Sequence, residues 1–340
     1  MNDEFNLKQI FLSQDKYLRE WKRLLDKVGI NNLKKRDIEN LDCSYGIYIS
    51  NILVGTVSYE KNILKYIAID KKYRNEGVLF NKLVSKVIEE LSYRGFFHVF
   101  VLTKPKYKKS FCYIGFDELA TTKQVSFLEY GYPGIDNFFN EIRIRENKKV
   151  SAIVMNADPF TKGHLHLVET AARESNLVYI FILKSEMTLF NTKSRLKMVC
   201  NGVSHLKNVE VYLGGDYIIS PSTFPLYFLK DLNKVSVSQM ELDAQVFLKN
   251  FVPTLNISTR FVGEEPYSEM TKKYNEILKD TLEPTIKLSE IKRLCTKEGE
   301  IISATKVRKF FKKKDMKMLD IMTPCSTYNF LAQLIKGENK

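Results

Sequence analysis

The sequence predicts an α/β chain of two domains, the second built on a parallel sheet. Three observations lead there. The chain has 340 residues, and at roughly 100–200 residues per domain it has room for two cores. Before residue 130, strands cluster between two helices in the order α–βββ–α–β. From residue 150 onward, strand and helix alternate one by one, the pattern of right-handed βαβ units.

Residues 15–28 (DKYLREWKRLLDKV) put Leu18, Trp21, Leu25 and Val28 on one helical face. The β-rich runs IYISNILVGTVSYE and ILKYIAID, broken at Asn51 and Asn62, predict antiparallel strands. A helix follows over 78–94, with Leu83, Val87, Ile88 and Leu91 inward and Gly95 as its stop. FFHVFVL (96–102) predicts a buried strand. The turn Gly131-Tyr132-Pro133-Gly134 and the charged RIRENKK (143–149) mark a linker. The expected division is 1–130, a linker over 131–148, and 149–340.

In the second domain VSAIVM (150–155), LVYIFIL (177–183) and VEVYL (209–213) predict strands. Helices are expected over 164–175 and 193–204. A parallel sheet binds ligands at the carboxyl ends of its strands, which singles out the loop after Met155.

Composition narrows the function. A hydrophobic content of 44% and 12% aromatics exclude wholesale disorder. No run of about 18 apolar residues occurs, so no membrane-spanning helix is expected. The opening MNDEFNLKQIF does not read as a secretory signal. Cys43, Cys112, Cys200, Cys295 and Cys325 lie far apart with no CxxC pair, against a zinc site or disulfide framework and in keeping with a reducing cytoplasm. Each is read as a small core residue. The net charge of +13 leaves nucleic acid, an acidic protein or phosphate-rich small ligands open. It divides as +6 over residues 1–148 and +7 over the rest. Lys306–Lys317 (KVRKFFKKKDMK) is dense in charge. It reads as a solvated helix face, or as a nucleic-acid site if Phe310 and Phe311 stack on bases.

Two segments carry chemistry. After Met155 comes NADPFTKGHLH and then an apolar-periodic helix. Gly163 lets backbone approach a ligand, Thr161 is placed to cap the helix, and His164 falls in its first turn. Free N–H groups and the positive end of the helix dipole make a polyphosphate site there. The plainer alternative is a capped loop whose histidine completes a hydrogen-bond network. The second segment, ISATKVR (302–308), opens another helix with Ser303 as cap and Thr305 and Arg308 on its first turns. Arg308 is a permanently charged, bidentate donor suited to phosphates; an ordinary capped basic helix is again the alternative.

Together and in this order, the two segments resemble the Thr/His-x-Gly-His and Ile-Ser-x-Thr-x-x-Arg pair of the nucleotidyltransferase superfamily. That resemblance implies a Rossmann-like domain in which the α-phosphorus of a nucleotide is attacked and pyrophosphate leaves. It would set Asn156, Pro159, Phe160, Thr161, Gly163, His164, Ser303, Thr305 and Arg308 around ATP, with Mg²⁺ bridging phosphate oxygens. Lys162 is a candidate for neutralising the leaving pyrophosphate. His164, Lys162 and Arg308 are the catalytic candidates; metal ligands are unassigned.

In the first half, Arg74-Asn75-Glu76-Gly77-Val78-Leu79 resembles the Arg-x-x-Gly-x-Gly/Ala loop of the GNAT acetyltransferases, with Leu79 replacing the final small residue. The resemblance implies a GNAT-like α/β domain in which Arg74 and Gly77 hold phosphates of coenzyme A or a similar arm.

An acetyltransferase-like domain before a nucleotidyltransferase resembles the citrate lyase ligase family. Similar stretches are TKPKYKKSFCYIGF (103–116), DYIISPSTFPLYFL (216–229), ELDAQVF (241–247) and RFVGEEPYSEMTKKYNEIL (260–278). One departure is Ala157-Asp158 in place of Cys-Asn; an aspartate there would repel phosphates unless it faces Mg²⁺ or solvent. By the same resemblance Gly263 and Glu264 join the ATP set, although from the residues alone that loop reads as a solvated turn whose acidic pair could also hold a metal or the adenosine. The family implies activation of acetate by ATP and acetylation of a thiol on the coenzyme-A-like prosthetic arm of the citrate lyase acyl-carrier subunit, in the cytoplasm, with neither nucleic acid nor membrane as partner. Two other functions stay open: a nucleotidyltransferase for a phosphorylated small molecule fused to an acetyl-coenzyme-A-dependent acetyltransferase, and a basic nucleic-acid-binding protein.

Overall fold

The computed structural model describes residues 5–74, 77–145, 148–184, 188–218, 232–265 and 268–337, with backbone only at 232–235. It divides into two compact units, 1–138 with 224–242, and 139–223 with 243–340. The stretch expected as a linker is not featureless. It contains a short helix, Ile135–Asn140.

The first unit has a mixed sheet, β1 (Asn6–Gln9), β2 (Cys43–Ile49), β3 (Ile52–Glu60), β4 (Ile63–Ile69), β5 (His98–Thr103), β6 (Asp117–Thr121) and β7 (Ser126–Gly131), in the order β1-β2-β3-β4-β5-β7-β6. Its helices are α1 (Asp15–Lys27), α2 (Lys35–Glu39), α3 (Val78–Tyr93), α4 (Lys108–Tyr113) and α5 (Ile135–Asn140). α1 buries Trp21, Leu24 and Leu25, with the Trp21 ring edge-on to Tyr66 at 5.1 Å. α3 buries Leu79, Leu83, Val84, Val87 and Leu91, one stripe at helical spacing. Neighbouring strands run antiparallel except β4 and β5, which are parallel and pair only at Ile63↔Phe100 and Leu64↔Val101. Both strands continue past that point, so their carboxyl ends splay and leave backbone edges open.

The second unit is a fully parallel sheet, β8 (Val150–Met155), β9 (Leu177–Ile182), β10 (Val209–Leu213), β11 (Ile257–Gly263) and β12 (Lys287–Ile291), in the order β10-β9-β8-β11-β12. Its helices are α6 (Lys162–Glu174), α7 (Thr192–Val203), α8 (Leu232–Val246, which straddles the division), α9 (Val252–Leu255), α10 (Glu269–Leu282), α11 (Ala304–Lys312), α12 (Met316–Met322) and α13 (Cys325–Gly337). A π-helical turn, Phe247–Phe251, joins α8 to α9. All six residues of β9 are buried, as a parallel strand covered on both faces requires. Both units are thus α/β, the class expected from the sequence.

The second sheet runs one way from β8 through β9 to β10, then returns past β8 to β11 and β12. Right-handed crossovers therefore put α6 and α7 on one face and α10 on the other. The first face packs Ile153, Ile180 and Phe261 against α6, α7 and α11–α13. On the second, Phe251 meets Phe181 at 5.2 Å and Phe139 at 5.1 Å. Strand order reverses between β8 and β11, and their carboxyl ends open a crevice.

Two expectations are corrected. Lys306–Lys317 is not one helix: α11 ends at Lys312, Lys314 turns to φ 55°, and Asp315 starts α12 by accepting from the Met318 N–H at 3.1 Å. Phe310 and Phe311 pack against the core, so they offer no base-stacking platform. Of the cysteines only Cys43 is buried; the other four are exposed thiols. No helix among the described residues is long and apolar enough to cross a membrane.

Candidate active site

The crevice between β8 and β11 is built from the chain that leaves β8. Thr161 Oγ1 accepts from the His164 N–H at 3.2 Å, and His164 Nδ1 accepts from the Thr161 N–H at 3.0 Å. This reciprocal capping box starts α6. It also decides the tautomer. With the Nδ1 lone pair engaged by a backbone donor, the imidazole proton sits on Nε2.

Burial pushes the His164 pKa down to about 4, and the Arg293 guanidinium opposes protonation further. The ring is therefore a neutral Nε2–H donor throughout the physiological range. Between pH 6.5 and pH 4 the unfolded chain takes up a proton that the folded chain refuses, so stability is full above about 6.5 and falls as pH drops through that window. The His164 share is about 2–3 kcal/mol. Denaturant midpoints of the wild type and His164→Gln at pH 7 and pH 4.5 check it, with the wild type losing more on acidification.

Phe160 and Pro159, expected in the loop around ATP, have buried side chains. The Phe160 ring stacks under His164 at 5.8 Å and 12°. It also fills the space that a side chain at Gly202 would need, since a Cβ there would lie 2.5 Å from Phe160 Cε1. Phe160 thus fixes the plane of the imidazole from below.

Asn156 is exposed, and its main-chain and side-chain oxygens accept from Arg195 Nη1 at 2.7 and 3.0 Å. Arg195 is fully buried on α7; it donates as well to Phe190 O (3.1 Å) and Thr192 Oγ1 (3.0 Å). Asp158 is turned away from solvent. It is 4% exposed, its carboxylate accepts from the N–H groups of Phe190 (3.0 Å) and Leu189 (3.1 Å), and Arg308 Nη1 stands 3.7 Å from Oδ2. Its negative charge is accounted for inside the loop, which answers the repulsion expected from the Ala157-Asp158 departure.

The two segments singled out in the sequence meet in space. Arg308 Nη1 donates to Asp158 O at 2.6 Å and Nη2 to Thr305 Oγ1 at 3.1 Å. Ser303 caps α11 by accepting from the Lys306 N–H at 3.3 Å. Gly163 lies so close that a Cβ there would stand 3.3 Å from Ile302 O. α6 and α11 therefore begin side by side, with two sets of free N–H groups and two positive dipole ends converging.

Lys162 stands apart from this set. Its Nζ donates to Asp320 O (2.7 Å) and Ile321 O (3.0 Å), capping the last turn of α12 rather than facing the crevice. Gly263 ends β11 on the opposite wall, and Glu264 continues from it. The Glu264 N–H donates to Ile291 O at 2.9 Å, Glu264 O accepts from Arg293 Nε at 2.6 Å, and Glu265 forms an ion pair with Arg293. Among the described residues no group of three or more His, Cys, Asp or Glu could hold a metal ion.

In the first unit, the splay of β4 and β5 opens a cavity of about 640 Å³. Arg74, Gly77, Phe80, Lys104 and Tyr107 are among the residues lining it. Gly77 caps α3 at φ 62°, a backbone geometry that favours glycine. Arg74 Nε donates to Ile69 O at 2.9 Å and Nη1 to Tyr107 Oη at 3.4 Å. Leu79 is buried in the core, so its bulk does not fill the loop; Asn75 and Glu76 lie outside the described residues.

Residues 150–331 match the family described as citrate lyase ligase C-terminal domain. The citrate (pro-3S)-lyase ligase of Klebsiella pneumoniae is 31% identical over 98% of this chain and 98% of its own, and that of Escherichia coli K12 is 32% identical over 81% and 80%. The chain belongs to the citrate lyase ligase family. A phosphopantetheine adenylyltransferase of Gloeobacter violaceus is 31% identical over 31% of the ligase chain and 67% of its own. The solved N-acetyltransferase of Staphylococcus aureus Mu50 covers 38% of the chain and 97% of its own, at 16% identity and a TM-score of 0.30.

The ligase thus gathers Asn156, Thr161, Gly163, His164, Ser303, Thr305 and Arg308 at one crevice, with Pro159 and Phe160 buried in its floor beneath His164, holds the Lys162 ammonium at the end of α12, and keeps Arg74 and Gly77 in a cavity of the first unit. Arg195 and Arg293 were not singled out beforehand. Each sits in a charged stretch, TKSRLKM and EIKRL, that looks like helix surface or loop.

Proposed function

We propose that this ligase activates acetate with ATP and passes the acetyl group to the thiol of the prosthetic arm on the citrate lyase acyl-carrier subunit. An acetate oxygen bonds to the α-phosphorus and the α–β bridging oxygen leaves with pyrophosphate, forming acetyl-adenylate. The thiolate then attacks the acetyl carbonyl and AMP leaves. The supporting observation is the pair of helix N-termini at α6 and α11, tied by Arg308 and Asp158 O around a neutral His164.

Each residue has a task that follows from its chemistry. Two anions must meet, so the crevice must supply positive potential without bulk. The amides at the α6 and α11 starts carry the triphosphate, with Gly163 allowing close approach. His164 Nε2–H donates to the phosphoryl oxygen on which charge grows in the in-line displacement. Ser303, Thr305 and Arg308 hold the β- and γ-phosphates, and Asn156, Gly263 and Glu264 border the nucleoside. Mg²⁺ fits as an ion brought by the nucleotide: Asp158, the carboxylate within the loop, already accepts two backbone N–H groups, so phosphate oxygens and water would supply its ligands. When bound it neutralises phosphate charge. Arg74 and the N-terminus of α3 suit the phosphate of the coenzyme-A-like arm, whose chain the 640 Å³ cavity would admit.

ATP–pyrophosphate exchange in the full chain tests the reading. Exchange should require acetate and be absent with citrate or with no acid; exchange that needs no acid would sink it. Arg308→Lys should raise the KM for ATP about tenfold, the loss of one charge-assisted hydrogen bond. Equal KM values would remove Arg308 from the phosphate set. Arg74→Ala should slow carrier acetylation while leaving exchange unchanged, as measured with labelled acetate and purified carrier.

A further inference from the structure

The face of the second sheet opposite α6 carries a buried arginine whose donors are mostly unspent. Arg260, on β11, is 2% exposed. Its Nη2 donates to Tyr274 Oη at 3.1 Å, and the Tyr274 hydroxyl in turn donates to Asp243 Oδ2. Asp243 is itself 3% exposed and lies 3.8 Å from Nη2. Phe247 covers the guanidinium plane at 4.3 Å. Among the described residues, Nε and Nη1 have no hydrogen-bond partner. A guanidinium has five N–H bonds, and three of them belong to those two nitrogens. Buried donors are almost always satisfied, so three idle ones on a single charged group call for a ligand.

We propose that Arg260 binds the carboxylate of the acid substrate, with Tyr274 and Asp243 as positioning residues. The inference rests on the acid-activation reading above. Arg260 pairs with Ala152 of β8, three positions before each strand ends at Gly263 and Met155. Asn275, next to Tyr274, donates to Gly263 O at 3.2 Å, so this stretch of α10 stands level with the carboxyl end of β11. The guanidinium thus belongs to the switch-point crevice, on the wall across the sheet from the α6 and α11 starts. Those starts are built for phosphates. Arg260 is built for a smaller, singly charged anion: Asp243 already balances its charge and would repel a phosphate dianion. Burial and Asp243 keep Tyr274 protonated, its pKa pushed up, so the relay from Arg260 through Tyr274 to Asp243 is fixed in one direction. That relay aims Nε and Nη1 away from Asp243, and the Phe247 ring offers an apolar wall to a methyl group.

The test is acetate-dependent ATP–pyrophosphate exchange in the full chain, with acetate and ATP varied separately. Arg260→Met removes the charge but keeps the length. It should raise the KM for acetate about 30-fold and leave that for ATP within about twofold, since hydrogen bonds to a charged group are lost to one substrate only. Arg260→Lys should fall between. If the Met variant fails to give a folded melting transition, Arg260→Lys and Tyr274→Phe carry the test. Tyr274→Phe lets Asp243 draw the guanidinium onto itself and should raise the acetate KM several-fold, with ATP unaffected. Acid-dependent exchange in which both KM values move together, or neither moves, overturns the Arg260 site and leaves the activation chemistry standing. Acid-independent exchange in the wild type overturns both.

Discussion

Replacing His164 by alanine should slow acetate-dependent pyrophosphate exchange by about 10²–10³-fold, the cost of losing one preorganised donor to a developing oxyanion. The size follows from how completely the ring is set beforehand. Nδ1 is engaged by the Thr161 N–H, Phe160 lies flat beneath, and the pKa of about 4 keeps the ring neutral. No reorganisation is needed as charge appears, so most of the interaction goes to the transition state. The KM for ATP should change little. A second consequence is negative: the pH–rate profile should have no inflection near the ordinary histidine value of about 6.5. An unchanged exchange rate in His164→Ala would remove the imidazole from catalysis.

The largest effect on stability should come from Arg195→Met, about 3–5 kcal/mol in denaturant unfolding. Arg195 is fully buried and joins the loop after β8 to the loop after β9 through Asn156 and Phe190. Methionine fills similar volume but leaves the buried Phe190 carbonyl without this donor, a loss of about 1–3 kcal/mol, and breaks the bonds to Asn156 and Thr192 that tie the two loops together. It also deprives Asp158 of a nearby positive charge, for which Arg308 alone would remain. Since Arg308 and Asn156 both depend on that loop, exchange should fall with stability. A loss below about 1 kcal/mol would contradict this role.

Much of this site is local chemistry and was legible. Thr161, Gly163 and His164 follow one strand directly and start one helix, and Ser303 and Arg308 do the same further on. β8, β9 and β10 announce themselves as apolar runs between polar turns. β1 and β12, by contrast, are short and half-polar, NLKQ and KLSEI, with no alternation to betray them. Where charges point was harder to read, because it depends on contacts distant in sequence. Lys162 adjoins the capping box of α6, yet its ammonium is claimed by α12 carbonyls at Asp320 and Ile321. Asp158 looked like a repulsive charge until Leu189, Phe190 and Arg308 closed around it. Arg195 sits in a stretch typical of a basic surface, TKSRLKM, and Arg260 is the one charge in an apolar strand, ISTRFVG; only the packing around the sheet shows that both are buried.

The central claim is that acetate attacks the α-phosphorus of ATP in the α6–α11 crevice. Acetate labelled with ¹⁸O on both carboxyl oxygens tests it directly, by mass spectrometry of the products after a full turnover with the carrier. Attack at the α-phosphorus transfers one ¹⁸O to AMP and none to pyrophosphate. Unlabelled AMP, or label in phosphate or pyrophosphate, would contradict it.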